Sequence, residues 1–140
     1  MKWSDGRYHT ADTEDISGKD PDRFIPRSYS IASSSKTREY IEFYIGLVRL
    51  GSLSPRLFHL KPEDRVYLSE KPLGMLSLDA VPAEFNVVLI ATGTGVAPYM
   101  SMIRTEISGG LNRRFAVIHG ARHSSDLDYH SELMLLDSIS

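Results

Sequence analysis

Two different hydrophobic patterns divide the 140-residue chain. Residues 1–26 are polar, rich in Asp and Gly, and carry only scattered large apolar groups, which predicts a poorly ordered lead-in or a long loop. Beyond them, "RSYSIASS" (27–34) reads as a strand, "SSKTR" as a turn, and "EYIEFYIGLVRL" (39–50), rich in aromatic and β-branched residues, as a stronger strand antiparallel to the first. "GSLS" then punctuates the chain, and "PRLFHL" predicts a short helical turn with Pro near its start. "KPEDRVYLSE" gives a turn and a strand centred on Val66, Tyr67 and Leu68; "KPLGMLSL" gives a Pro/Gly loop and another short strand. Short strands separated by turn chemistry indicate an antiparallel β-sheet or barrel.

Near Val81 the pattern changes. "AVPAEF" reads as a linker, and "NVVLIAT" is a continuous apolar run of the kind found in parallel strands buried on both faces. "GTGVAP" follows, then "YMSMIRTEI", apolar at Met100, Met102, Ile103 and Ile107 with helical spacing and ended by "GGLN". "RRFAVIHGA" predicts a second buried strand. "SSDLDYHSELMLLDSI" predicts a second helix, capped in the Ser124/Ser125 region with Asp126 and Asp128 suited to its dipole. The order strand, glycine turn, helix, strand, helix is a β-α-β unit.

Composition narrows the chemistry. Formal net charge is −2 and no basic run with interleaved aromatics occurs, so nothing favours nucleic acid or an anionic membrane as partner. No stretch approaches the ~20 apolar residues of a membrane span, and the N-terminus has no signal-peptide core. A monomer in the cytoplasm is the expected setting. With no cysteine, the chain has no disulfide, no thiolate nucleophile and no Cys-ligated cluster. Of its five histidines, His119 and His123 are four residues apart, but a glycine and a strand end separate them, so a structural or solvated role is expected rather than a metal site. Met100, Met102 and Met134 are expected in the core, and Asp126, Asp128 and Glu132 on a solvated helix face.

Two short stretches carry candidate chemistry. In "ATGTGVAP", Gly93 and Gly95 let backbone approach a ligand between a strand and a helix start, where free amides and the dipole suit a pyrophosphate. There is no "GK[ST]", so nucleotide hydrolysis gains no support. In "RSYS", Arg27 and Tyr29 alternate and would share one face of an extended chain.

Taken together, "RSYSIAS", "EFYIGLV", "LSPRLFHLKPEDRV", "KPLGMLSLD", "LIATGTGVAPYMSMI" and "VIHGAR" resemble, in this order, the ferredoxin–NADP⁺ reductase family, closest to its bacterial ferredoxin/flavodoxin type. The resemblance covers roughly residues 26–135. It implies an antiparallel FAD-binding β-barrel domain over 27–84 and a Rossmann-like α/β NADP-binding domain over 85–140, both incomplete. It also implies roles by position. Arg27 would hold the FAD pyrophosphate, a task suited to its planar donor fork. Ser28 lies within that motif, Tyr29 would lie against the flavin ring, and Ser30 near flavin N5, where hydride arrives. Tyr44, Ile45 and Gly46 would offer backbone contacts to the cofactor, and Ser52, Leu53 and Ser54 would close on its phosphates. Thr94 would touch the flavin side, with Gly93 and Gly95 bordering the nicotinamide nucleotide. Ala121 and Arg122 would lie near the adenosine phosphate, an Arg there favouring NADPH. The implied activity passes hydride from NADPH to FAD, then single electrons to ferredoxin or flavodoxin.

Residues 1–26 do not resemble the family's opening strands, and the family's later strands and C-terminal tail find no match. A fragment or truncated product of such a reductase is therefore expected. Two other readings stand beside it: the reductase component of an oxygenase or electron-transfer system, and a flavin- or nucleotide-binding module without turnover.

Overall fold

The computed structural model describes residues 25–110 and 113–138. The expected lead-in falls outside the described residues over its first 24 positions. The chain forms two compact units, one made of the described residues up to Tyr29 with Ile45–Met75, the other of Ser30–Tyr44 with Leu76–Ser140.

The second unit holds the β-α-β arrangement. Strand β1 (Val87–Thr92) leads through a 3₁₀ turn (Gly93–Val96) into helix α2 (Ala97–Ile107), and β2 (Phe115–Gly120) returns parallel to β1. The register pairs Leu89 with Val117, Ala91 with His119 and Thr92 with Gly120. Alternation turns Leu89 and Ala91 inward. Val88, Ile90 and Ile118 point outward at 62%, 65% and 57% exposure, so the expected burial on both faces holds for one face only among the described residues. The apolar run was long enough to cover two faces; only one receives packing partners here.

Helix α2 begins at Ala97 and has Pro98 in its first turn, where a missing N–H costs no hydrogen bond. Ala97, Met100 and Ile103 form its buried stripe. It closes where Gly109 N–H donates to Glu106 O and Gly110 takes φ +81°, the left-handed cap that glycine adopts without strain. Helix α3 (His130–Ser138) starts later than expected. Ser124–Asp126 form a separate 3₁₀ turn, Leu127 leaves helical dihedrals, and no side chain caps that turn. The Tyr44 hydroxyl donates to Asp126 O at 2.9 Å, taking a carbonyl that a continuous helix would use. Met134, expected in the core, is exposed on α3, whereas Leu133 packs against the core cluster.

That cluster is Ala32, Ala91, Val96, Ala97 and Met100, flanked by Tyr44, Tyr99, Tyr129 and Leu133. Ala32 reaches it from residues 30–44, which fold against the β-α-β elements. The antiparallel pairing expected there survives as one bridge, Ile31 with Phe43, supported by Ala32 N–H to Glu42 O at 2.8 Å. The turn between them is closed by Thr37 N–H to Ser34 O.

In the first unit the short helix α1 (Ser54–Phe58) matches the expected turn with Pro at its start. Leu53, Ser54 and Pro55 are buried, and the Ser54 hydroxyl closes the preceding loop by accepting from Val48 N–H and donating to Val48 O. The barrel strands expected around Val48, Val66–Leu68 and Met75 are not formed among the described residues. Leu50, Leu73 and Met75 are almost fully exposed, at 96%, 92% and 98%. A strand needs both a paired backbone edge and a covered apolar face, and an isolated pair is marginal at best.

Candidate functional site

The glycine turn is built by the end of β1. Thr92 is still extended at φ −124° and ψ 136°, and Gly93 then takes φ +50°. An L side chain there would cost ~1–2 kcal/mol in backbone strain. Val96 is fully buried and anchors the turn from below, while Thr94 and Gly95 are exposed. A Cβ added at Gly93 or at Gly95 would meet nothing within 4 Å, so the turn faces open space. Two bonds fix its base: Tyr99 Oη donates to Ile90 O at 3.2 Å, and His119 Nε2 lies 2.8 Å from Gly93 O.

Parallel strands present their C-terminal ends together. Because Thr92 pairs with Gly120, the turn after β1 and the residues after β2 leave the sheet at the same edge. Gly93, Thr94 and Gly95 are thereby brought to the end of the sheet from which Ala121 and Arg122, both exposed, emerge. Open α/β sheets bind ligands outside these strand ends. The donor chemistry fits a dinucleotide: amides at a helix start for phosphate, and an arginine that follows the neighbouring strand at the same end of the sheet.

In the first unit, Arg27 and the "SLS" loop meet. The exposed guanidinium donates through Nη2 to Ser52 Oγ at 3.1 Å and through Nη1 to Pro26 O at 2.7 Å. A fork of N–H donors beside a hydroxyl fits a pyrophosphate. Of the same loop, Leu53 is buried and the Ser54 hydroxyl is engaged with Val48, so Ser52 is the serine that presents its side chain beside Arg27. Ser28 and Gly46 are exposed; Tyr29 and Ile45 are half-buried.

Ser30 and Tyr44 open and close the segment packed on the β-α-β unit. Ser30 is exposed. The Tyr44 ring packs edge-on against Tyr129, with centroids 5.2 Å apart, so its side chain serves the interior of that unit.

The polar centre of this unit escaped sequence reasoning. Arg104 on α2 donates to both carboxylate oxygens of Glu132 at 2.7 and 2.6 Å, to Ala32 O at 2.7 Å and to Glu42 Oε1 at 3.1 Å. Its guanidinium also lies 5.4 Å from the centre of the Tyr129 ring, whose hydroxyl donates to Glu42 at 2.5 Å. Glu132, expected on a solvated face, is instead half of a bidentate ion pair. Burial pushes the Tyr129 phenol up, and Glu42 adds to that. Burial alone would raise Glu42 too, but the hydrogen bonds from Tyr129 and Arg104 outweigh it and hold its carboxyl below the usual value. A lone Arg in a helix pattern gives no signal of partners 28, 62 and 72 residues away. Among the described residues, no group of three or more His, Cys, Asp or Glu is placed to hold a metal.

The model of the oxidoreductase NAD-binding domain matches residues 89–138. The chain is 35% identical over 105 residues to the flavodoxin/ferredoxin–NADP reductase of Escherichia coli (strain K12), which covers 75% of this chain and 42% of that protein. It is 38% identical over 108 residues to the ferredoxin–NADP reductase of Azotobacter vinelandii, covering 76% of this chain and 41% of that one. With the flavodoxin/ferredoxin–NADP reductase of Buchnera aphidicola subsp. Baizongia pistaciae (strain Bp) it shares 30% identity over 117 residues, 84% of this chain and 47% of the relative. The chain thus spans less than half the length of the curated relatives it matches. Over the stretch it shares with them, the chain is thus similar to ferredoxin/flavodoxin–NADP reductases, and its residues 89–138 match an oxidoreductase NAD-binding domain.

Proposed function

We propose that this chain is the flavin- and nicotinamide-binding part of a reductase that takes hydride from NADPH and delivers single electrons to ferredoxin or flavodoxin. One observation carries the reading most: the open glycine turn and the Ala121–Arg122 loop share one edge of a parallel sheet. FAD, when bound, supplies the conversion of a hydride into single electrons. The chain's own residues bind and orient. Arg27 and Ser52 take the flavin pyrophosphate, the Tyr29 ring lies against the flavin, and Ser30 stands near the atom that accepts hydride. Tyr44, Ile45 and Gly46 contribute backbone, with Leu53 and Ser54 shaping the phosphate loop. Gly93 and Gly95 border the nicotinamide half of NADPH, Thr94 touches the flavin side, and Ala121 and Arg122 lie near the adenosine phosphate, where Arg122 meets the 2′-phosphate. Residues 27–84 then belong to a flavin barrel and 85–140 to the nucleotide domain, in a monomer of the cytoplasm. Among the described residues no helix is long and apolar enough to cross a membrane.

The test is spectroscopic. Mixed with FAD and freed of excess, the protein is expected to stay yellow and to bleach under NADPH faster than under NADH. Arg122→Ala should narrow that difference by roughly tenfold, the size of one charge-assisted hydrogen bond. A protein that remains colourless after incubation with FAD would sink the flavin assignment. A module that binds without turnover is the second reading, favoured by the absence of the expected barrel strands among the described residues of the first unit; it predicts a yellow protein that NADPH leaves unbleached.

A further inference from the structure

The nucleotide reading leaves His119 without a part, and the structure gives it a defined place. Strand alternation turns Phe115, Val117 and His119 towards the covered side of β2, and His119 pairs in register with Ala91, two residues before Gly93. The imidazole therefore reaches the first residue of the turn, with Nε2 2.8 Å from Gly93 O. A carbonyl oxygen only accepts, so the ring carries its hydrogen on Nε2 and donates. This bond orients more than one atom. In a trans peptide the C=O and the following N–H point in opposite directions. Holding Gly93 O towards β2 turns the Thr94 N–H away from it, on a turn where a Cβ at Gly93 or Gly95 would find no neighbour within 4 Å. Gly93 sits at φ +50°, a conformation from which glycine escapes readily because no side chain restrains it. Beyond the 3₁₀ turn's own hydrogen bonds, a side-chain restraint comes from the neighbouring strand.

We propose that His119 is a positioning residue that locks the glycine turn in the shape that receives the pyrophosphate–nicotinamide half of a dinucleotide, with no part in holding the adenosine end. This rests on the nucleotide-binding reading above, and its test separates the two. The 140-residue chain and its His119→Phe and His119→Gln variants are titrated by calorimetry with NADP⁺ and with adenosine 2′,5′-bisphosphate, which lacks the nicotinamide half. Phe keeps a ring but no donor; the Gln amide places an N–H near the Nε2 position. The expected result is roughly tenfold weaker NADP⁺ binding by His119→Phe, the loss of one hydrogen bond, recovery in His119→Gln, and unchanged bisphosphate affinity in both. Equal loss of both ligands, or no loss of NADP⁺, overturns the role of His119 while leaving the nucleotide site standing. An unaltered protein that binds neither ligand overturns the nucleotide reading and this inference together. Should His119→Phe fail to fold, ¹⁵N correlation spectra of the unaltered protein decide: a ring protonated on Nδ1 and bare at Nε2 overturns the proposal, and an Nε2–H tautomer together with retained NADP⁺ affinity in His119→Gln supports it.

Discussion

One carboxylate oxygen of Glu42 accepts from both Tyr129 and Arg104, and this pairing sets a pH dependence. The folded state holds the Glu42 carboxyl below its ordinary value of 4.5, so its ionised form adds stability that is complete above that value and is lost as the pH falls through the lower, folded-state value. Tyr129 is shifted the other way: its contribution is present below the ordinary phenol value of 10.0 and is lost as the pH rises beyond it. Glu42→Gln is expected to flatten the acid side of a plot of urea midpoint against pH between about 6 and 3, while Tyr129→Phe flattens the alkaline side. If both variants keep the slopes of the unaltered protein, the network does not govern its pH stability. Single residues also divide tasks that the sequence runs together. In "SLS", Ser52 stands beside Arg27 and Ser54 closes its own loop, a distinction that depends on where Val48 lies and not on the residue type.

At the level of elements, Arg104 ties α2 to α3 through Glu132 and to residues 30–44 through Ala32 and Glu42. Its fork makes four hydrogen bonds in three directions, a geometry that a lysine ammonium does not reproduce. Arg104→Lys should therefore lower unfolding stability by about 2 kcal/mol despite the kept charge, read as a reduced urea midpoint with an unchanged slope. A loss within error would show that the fork is replaceable. The β1–turn–α2–β2 order was legible because local signals carry it: a continuous apolar run, two glycines, a Pro in the first helical turn, and apolar positions at helical spacing. The packing of residues 30–44 was not. Their aromatic and β-branched residues record fitness for a sheet, not which partner covers them, and the covering partner lies some 70 residues away. The expected barrel shows the same limit: a turn followed by Val66, Tyr67 and Leu68 reads as a strand, yet a strand forms only against a neighbour.

For the molecule as a whole, the compact units do not follow the change of pattern near residue 81. The second unit includes Ser30–Tyr44, and Ala32 is fully buried in its core. Residues 85–140 expressed alone should therefore fail to give a cooperative thermal transition, whereas 30–140 should give one; a sharp melt from the shorter piece would show Ala32 and Arg104's bond to it to be dispensable. The join between units at Tyr29 and Ser30 falls inside "RSYS" itself. That position bears on exchange between relatives. A crossover after Tyr29 keeps the second unit whole but breaks "RSYS", whereas one placed between Ala32 and Tyr44 keeps "RSYS" and divides the second unit's core from the segment packed on it. The two units are thus expected to be inherited as a matched pair, with crossovers selected against between residues 32 and 44.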